Sequence, residues 1–142
     1  MIRFFGGRVM TLANGIETQD IEVWTEGSKI VFVGKPKAEE LDGKVFEREY
    51  DLKGNLLMPS FKNAHTHSAM TFLRSYADDM PLQDWLFKQI FPMEAKLDGE
   101  KVYWLTKLAI LEYLTTGCTA TFDMYFELDD YVKACTESGF RS

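Results

Sequence analysis

The hydrophobic pattern of the chain changes near residue 55. Before that point, short stretches rich in β-branched and aromatic residues alternate with turn-forming residues, which is typical of strands. Strands are predicted at 2–12, 20–25, 29–33 and 45–51, separated by turns at Asn14-Gly15, Glu26-Gly27-Ser28 and Asp42-Gly43. Apolar and polar residues alternate from Ile21 to Thr25, where Trp24 breaks the pattern. A small antiparallel sheet with one solvent-exposed face is therefore predicted.

After residue 55 the pattern is that of alternating strands and helices. A turn at 53–55 leads into an apolar run, Leu56 to Met58, and a second strand is predicted to be buried at 118–126. Helices are predicted from Pro81, with an interruption at Pro92, and from Asp129 or Asp130 to Ser138. The order strand, helix, strand, helix is typical of a parallel sheet and predicts an α/β fold.

The clearest predicted helix runs from Gly99 to Thr116. Asp98 suits the N-cap and Gly117 lies just beyond the end, where glycine is favoured. Apolar residues recur inside it at helical spacing and are expected to pack on a sheet. These residues are Val102, Leu105, Leu108, Ala109 and Leu111.

Composition excludes several functional classes. The net charge of −6 disfavours binding to a nucleic-acid backbone, which needs clustered Lys and Arg. Cys118 and Cys135 do not resemble a disulfide framework, so a reducing cytoplasm is the expected location. The N-terminus lacks the apolar region of a signal peptide, and no apolar stretch is long enough to span a membrane.

The two histidines of the chain are separated by a single residue. Residues i and i+2 of a strand point to the same face, so His65 and His67 are expected to present two imidazoles side by side. Imidazole is a common zinc ligand, and ligands often collect at the C-terminal ends of parallel strands. The position of the pair at the end of a strand, rather than the spacing alone, favours half of a metal site, the alternative being a structural pair or a chance spacing.

The segment around this pair resembles a known family. PSFKNAHTHSAMTFLR at 59–74 is similar to the first-strand signature of the amidohydrolase superfamily, although Ser60 stands where glycine is usual. ADDMPLQDWL at 77–86, IFPME at 90–94 and TFDMYF at 121–126 resemble the methylthioadenosine/S-adenosylhomocysteine deaminase branch, near the chlorohydrolase-like enzymes. The resemblance runs through nearly the whole chain and is most specific from Pro59 to Glu94.

The resemblance implies a (β/α)8 barrel preceded by strands of a flanking β-sandwich. Residues 1–55 would supply half of the sandwich, and residues 56–142 would supply the first βα units of an incomplete barrel. A complete barrel takes about 250 residues, so the chain is expected to be the N-terminal part of a larger enzyme. An independent small β domain is the alternative for the first segment.

The resemblance also implies a metal-dependent deaminase acting on an adenosine-type nucleoside, such as methylthioadenosine, S-adenosylhomocysteine or adenosine. His65 and His67 would hold a divalent metal, with zinc first and iron or manganese as alternatives, and no other catalytic residue is expected in this segment. Trp85 and Glu94 would bind the substrate, Glu94 through the ribose hydroxyls. The remaining metal ligands and the general acid/base belong to later strands of the family's barrel.

Each substrate-binding assignment has a structural alternative. Glu94 could instead be a solvated carboxylate paired with Lys88 or Lys96, and Trp85 could be an ordinary core residue. Asp123, at the end of a strand, is expected to have a structural or supporting role.

Two alternatives for the whole chain remain open at this point. One is a different ring deaminase or chlorohydrolase, acting on guanine, cytosine or a triazine, which would not need Glu94 for a ribose. The other is a non-catalytic fragment that associates with a partner. The expected partners are the nucleoside itself and either the remainder of the barrel or further copies in a homo-oligomer.

Overall fold

The computed structural model of the chain describes residues 1–13 and 15–142. It divides into two compact units, residues 1–59 and residues 60–142. The turn predicted at Asn14-Gly15 includes a residue outside the described ranges. Each unit has its own secondary structure and its own buried residues.

Among residues 1–13 and 15–59, the first unit consists of seven short strands and one short helix. They are β1 (Ile2–Phe5), β2 (Arg8–Thr11), β3 (Glu17–Gln19), β4 (Glu22–Glu26), β5 (Lys29–Gly34), α1 (Ala38–Leu41), β6 (Arg48–Asp51) and β7 (Leu56–Leu57). The strands form two sheets with the orders β5-β4-β1-β6 and β3-β2-β7. The prediction of an antiparallel sheet is wrong in part, because β6 pairs with β1 and β7 pairs with β2 in parallel.

The predicted single strand at 2–12 is divided between the two sheets by a pair of glycines. Gly6 has a φ of 71°, a left-handed conformation that few other residues adopt. A Cβ atom on Gly7 would clash with the carbonyl oxygen of Asn55. Gly6 and Gly7 therefore turn the chain out of β1 and allow β2 to approach the segment before β7.

Both faces of β4 are covered, so the prediction of one solvent-exposed face is wrong at this strand. The adjacent residues Val23 and Trp24 are both buried, although neighbouring side chains of a strand point to opposite faces. Trp24 stacks on Phe32, with ring centroids 4.1 Å apart, and meets Phe46 edge to face. The irregular position of Trp24 in the alternation thus reflects a second packed face, and the pairing register shifts after it.

The second unit follows the predicted order of strand, helix, strand, helix. Its elements are β8 (Phe61–Thr66), a 3₁₀ helix (Ser68–Leu73), α2 (Leu82–Asp84), a π-helix (Trp85–Ile90), α3 (Phe91–Glu94), α4 (Gly99–Thr115), β9 (Cys118–Asp123) and α5 (Leu128–Glu137). β8 and β9 are parallel neighbours, and Arg141 forms a parallel bridge with Ala120 on β9. The α/β fold class is therefore confirmed.

Helix α4 begins at Gly99 as predicted and ends at Thr115, one residue before the predicted end. The Asp98 carboxylate accepts a hydrogen bond from the backbone N–H of Lys101 at 3.0 Å, which satisfies one of the free donors of the first turn. Gly117, just past the end, has a φ of 82°.

The buried face of α4 differs in part from the prediction. Val102 and Ala109 are buried, as expected, whereas Leu108 and Leu111 are 45% and 60% exposed. The helix packs on α5 and the 3₁₀ helix, and the face that meets them includes Thr106 and Ile110. Leu108 and Leu111 lie outside that face, so their helical spacing alone did not identify the packed side.

Two further predictions on the second unit are wrong. The chain does not leave the helical conformation at Pro92, because the preceding π-helix widens the turn and α3 continues to Glu94. In a regular α-helix, proline lacks the N–H that would bond to the preceding turn, and its ring clashes with that turn. The wider turn accommodates both effects. The strand predicted at 118–126 ends at Asp123 and is buried only in part, because Phe122 is 78% exposed.

The core of the second unit joins the helices to the C-terminal residues. Its buried members are Ala69, Val102, Ile110, Tyr131, Cys135 and Phe140. Across the described ranges we find no helix with the length and apolar character needed to cross a membrane.

Candidate metal and nucleoside site

The two histidines lie side by side at the end of β8. Their ring centroids are 5.1 Å apart and the rings are nearly perpendicular, at 82°. Thr66 lies between them in sequence, and its hydroxyl contacts that of Tyr113 on α4 at 2.5 Å. Because strand residues alternate between faces, both imidazoles point away from α4.

The separation of the rings fits two ligands of one metal ion. Two imidazoles bound to a tetrahedral zinc through bonds of about 2.1 Å have ring centroids roughly 5 Å apart. Among residues 1–13 and 15–142, no group of three or more His, Cys, Asp or Glu side chains is arranged to hold a metal. The pair therefore fits part of a ligand set, as catalytic zinc usually has three protein ligands.

A hydrogen bond defines the tautomer of His67. Its Nδ1 lies 2.8 Å from the carbonyl oxygen of Met124 in the loop after β9. A carbonyl only accepts hydrogen bonds, so Nδ1 carries the proton and Nε2 keeps a free lone pair. Metal-binding histidines commonly have this arrangement, in which a second partner orients the ring.

Asp123 holds the backbone that follows His67. Its carboxylate accepts a hydrogen bond from the Ser68 N–H at 3.1 Å and another from the Ser68 hydroxyl. The Tyr113 hydroxyl is 3.0 Å from the same Ser68 oxygen. These contacts favour a supporting role for Asp123, because they link the ends of β8 and β9 where the imidazoles lie.

A cavity of about 370 Å³ lies next to His67. Its lining includes the side chains of Trp85 and Glu94 from the π-helix and α3, together with Met70, Met124 and Tyr125. The structure thus brings three of the four predicted site residues around one space. His65 is exposed and lies beside His67, outside the lining of this cavity.

The alternative ion pairs for Glu94 are not formed. Lys88 pairs with Asp84 at 2.8 Å, and the Lys96 ammonium lies 3.4 Å from the sulfur of Met93. Within the described part of the chain, no cation forms a salt bridge with Glu94. Its half-buried carboxylate is therefore free to accept hydrogen bonds from a ligand in the cavity.

The π-helix explains how Trp85 and Glu94 reach the same cavity. Each residue of an α-helix turns by about 100°, so residues nine positions apart would lie on roughly opposite faces. The six residues Trp85–Ile90 form wider turns, in which the Phe91 N–H bonds to the Leu86 carbonyl five residues earlier. The rotation lost over this segment is on the order of 100°, which brings Glu94 toward the side of Trp85.

Deleting Lys88 from the full-length protein is expected to convert this segment to α-helix and turn Glu94 away from the cavity. With the nucleoside-binding role that the family resemblance implies for Glu94, the KM for a nucleoside is expected to rise about tenfold or more, because a hydrogen bond to a charged group is lost. The matched control is Lys88→Ala, which removes the ion pair with Asp84 and keeps the residue count. Steady-state kinetics of both variants check this expectation, and equal KM values for the two would contradict it.

Tyr125 is a residue of the cavity lining that the sequence did not single out. It follows β9, and its ring packs against the core of the second unit. Burial, with a smaller contribution from the adjacent Glu94 carboxylate, raises the pKa of its hydroxyl. Its position in TFDMYF was visible in the sequence, but nothing there showed that it faces Glu94.

Comparison with protein families agrees with this geometry. The model of the "Amidohydrolase family" matches residues 56–141, which include both histidines and all of the cavity. The chain is 44% identical over 124 residues to a 5-methylthioadenosine/S-adenosylhomocysteine deaminase of Pelotomaculum thermopropionicum, an alignment that covers 87% of this chain and 28% of that protein. It is 55% identical over 92 residues to a 5'-deoxyadenosine deaminase of Methanospirillum hungatei, covering 65% of this chain and 20% of that protein.

A solved structure is similar over almost the whole chain. The crystal structure of an adenosine deaminase from Xanthomonas campestris with bound zinc superposes with a TM-score of 0.90 and 34% identity. The match covers 99% of this chain and 32% of that one. The chain therefore spans about a third or less of the length of each of these three proteins.

Proposed function

The chain belongs to the amidohydrolase family, and on this basis we propose that it is the N-terminal segment of a metal-dependent enzyme that hydrolytically deaminates an adenosine-type nucleoside. The observation that carries the proposal is the convergence of His67, Trp85 and Glu94 on one cavity, with His65 beside it. A metal ligand would help to hold the ion that activates water, and an aromatic wall and a free carboxylate would hold the nucleoside.

We propose that the second unit supplies the first βα units of a (β/α)8 barrel. The parallel pairing of β8 with β9, and of Ala120 with Arg141, supports successive neighbouring strands. The histidines lie at the C-terminal end of β8, with His65 inside the strand and His67 just after it, and active sites of such barrels lie at this end. Residues 1–55 are proposed to form half of a flanking β-sandwich, and residues 56–142 the beginning of the barrel.

His65 and His67 are proposed to hold the divalent metal, with zinc as the first candidate and iron or manganese as alternatives. A bound divalent metal supplies a water molecule whose pKa is lowered toward neutrality. The Met124 carbonyl supports this assignment, because it keeps the His67 Nδ1 protonated and Nε2 available. The hydrogen bond from the Ser68 N–H to the Asp123 carboxylate fixes the backbone next to His67, so that the imidazole stays in position to bind the metal.

Trp85 and Glu94 are proposed to bind the nucleoside. The half-buried indole offers an apolar wall that excludes water from one side of the cavity. The Glu94 carboxylate has lone pairs for both ribose hydroxyls, and such charge-assisted bonds are stronger than neutral ones. The relatives named above are deaminases of adenosine-type nucleosides, which supports the same substrate class for this protein.

A screen for ammonia release by the full-length protein tests this function. The substrates are methylthioadenosine, S-adenosylhomocysteine, 5'-deoxyadenosine and adenosine, compared with adenine, guanine and cytosine as free bases. We expect kcat/KM to be higher for the nucleosides by at least roughly tenfold, since the free bases lack the hydroxyls that Glu94 would bind. A preference for a free base would contradict the proposed substrate class.

A further inference from the structure

The hydroxyl of Tyr125 is buried and lacks a hydrogen-bond partner among the described residues. Buried polar groups in proteins are nearly always hydrogen-bonded, and leaving one unpaired is unfavourable. Tyr125 is part of the cavity lining, so a polar side chain of the same lining that moves when a ligand enters would satisfy it. An unpaired phenol at this position therefore requires an explanation in terms of the site.

The carboxylate of Glu94 is a candidate acceptor for this hydroxyl. Both side chains line the cavity, and burial, with a smaller contribution from the Glu94 carboxylate, raises the pKa of the Tyr125 hydroxyl. The two groups lie close enough to interact, but they do not meet the combined distance and angle criteria of a hydrogen bond. A phenol donates one proton, and a carboxylate offers about four lone-pair sites, so the pair is chemically matched.

Tyr125 lies in the short loop between β9 and α5, and this loop also contacts His67. The preceding residue, Met124, accepts the hydrogen bond from His67. Glu127, which ends the loop before α5, has a left-handed backbone with a φ of 51°. The ring of Tyr125 also packs on the buried cluster beneath the cavity, so its hydroxyl is presented from a supported side chain.

We propose that Tyr125 is a positioning residue for Glu94: its hydroxyl donates a hydrogen bond to the carboxylate when a nucleoside fills the cavity. The bond uses one lone pair of the carboxylate and leaves others for the two ribose hydroxyls. Tyr125 thereby sets the orientation in which Glu94 receives the ribose and contributes to the preference for nucleosides. This inference rests on the proposed function, because it assigns Tyr125 to the same binding step.

The test is Tyr125→Phe in the full-length protein, alone and combined with Glu94→Gln. We expect the single variant to raise the KM for adenosine roughly tenfold, because a hydrogen bond to the charged Glu94 is lost. The kcat should change by less than about twofold, because this bond helps to bind the ribose and takes no part in the chemical step. The dissociation constant of adenosine, measured by calorimetry on metal-stripped protein, should rise by a similar factor. In the Glu94→Gln background the same change should have almost no further effect.

Tyr131→Phe is the matched control. Tyr131 also has a buried hydroxyl, but it contacts Ser142 and does not line the cavity. We expect this variant to leave both the KM and the dissociation constant for adenosine unchanged.

The possible failures are distinguishable. A Tyr125→Phe protein with wild-type KM, or with the same loss in the presence and absence of Glu94, overturns the role of Tyr125 and leaves the proposed function intact. A wild-type protein that neither binds adenosine nor releases ammonia from any of the nucleosides overturns the proposed function and this inference with it.

Discussion

Replacing either His65 or His67 with alanine in the full-length protein is expected to remove most of the bound metal and nearly all turnover. The two rings lie 5.1 Å apart in an arrangement that suits one ion, so at the proposed metal site each would provide one of the few protein ligands. Loss of an outer partner of a metal ligand typically costs about 10–100-fold in metal affinity or activity, and loss of the ligand itself should exceed that. Metal content by mass spectrometry and ammonia release from a nucleoside measure the two effects.

Lys62→Ala is the control for the histidine variants. Lys62 is an exposed residue of the same strand, where it bonds to the hydroxyls of Ser60 and Thr119. Its removal should leave the metal content unchanged. Wild-type metal content and turnover in a His65→Ala/His67→Ala double variant would show that the pair is structural.

The parts of the structure that the sequence predicted depend on short-range rules. The caps of α4 at Asp98 and Gly117 are set by local hydrogen bonding and by the backbone freedom of glycine. The placement of His65 beside His67 follows from the period of a strand. Each of these features could be predicted from a few neighbouring residues.

The features that were missed depend on residues far apart in the sequence. Parallel pairing of β1 with β6 and of β2 with β7 joins segments separated by several other strands. The exposure of Leu108 and Leu111 depends on which helices pack against α4, which the spacing of apolar residues does not reveal. The proximity of Tyr125 to Glu94 likewise requires the loop after β9 to meet the end of α3.

The π-helix is an intermediate case. Pro92 was correctly identified as a disturbance of the helix, but the wrong response was predicted. The chain widens its turns ahead of the proline and continues, since Ile90 inside this segment is fully buried and holds it against the unit. This local irregularity is what gives Trp85 and Glu94 a common cavity, so a site prediction based on regular helical spacing would have separated them.

Glu94→Gln in the full-length protein is expected to raise the KM for adenosine by roughly 10- to 150-fold, corresponding to about 1.5–3 kcal/mol for hydrogen bonds to a charged group. Glutamine has nearly the same shape, but it loses the negative charge and presents donors where the ribose hydroxyls need acceptors. Activity on free adenine, measured in parallel, should change little, because free adenine has no ribose hydroxyls to bond to Glu94. The control is Asp84→Asn, which neutralises a carboxylate of the same helical segment that pairs with Lys88 and does not line the cavity. Equal effects of Glu94→Gln on adenosine and adenine would contradict a ribose contact, because the residue would then act on both substrates through the base or through the fold.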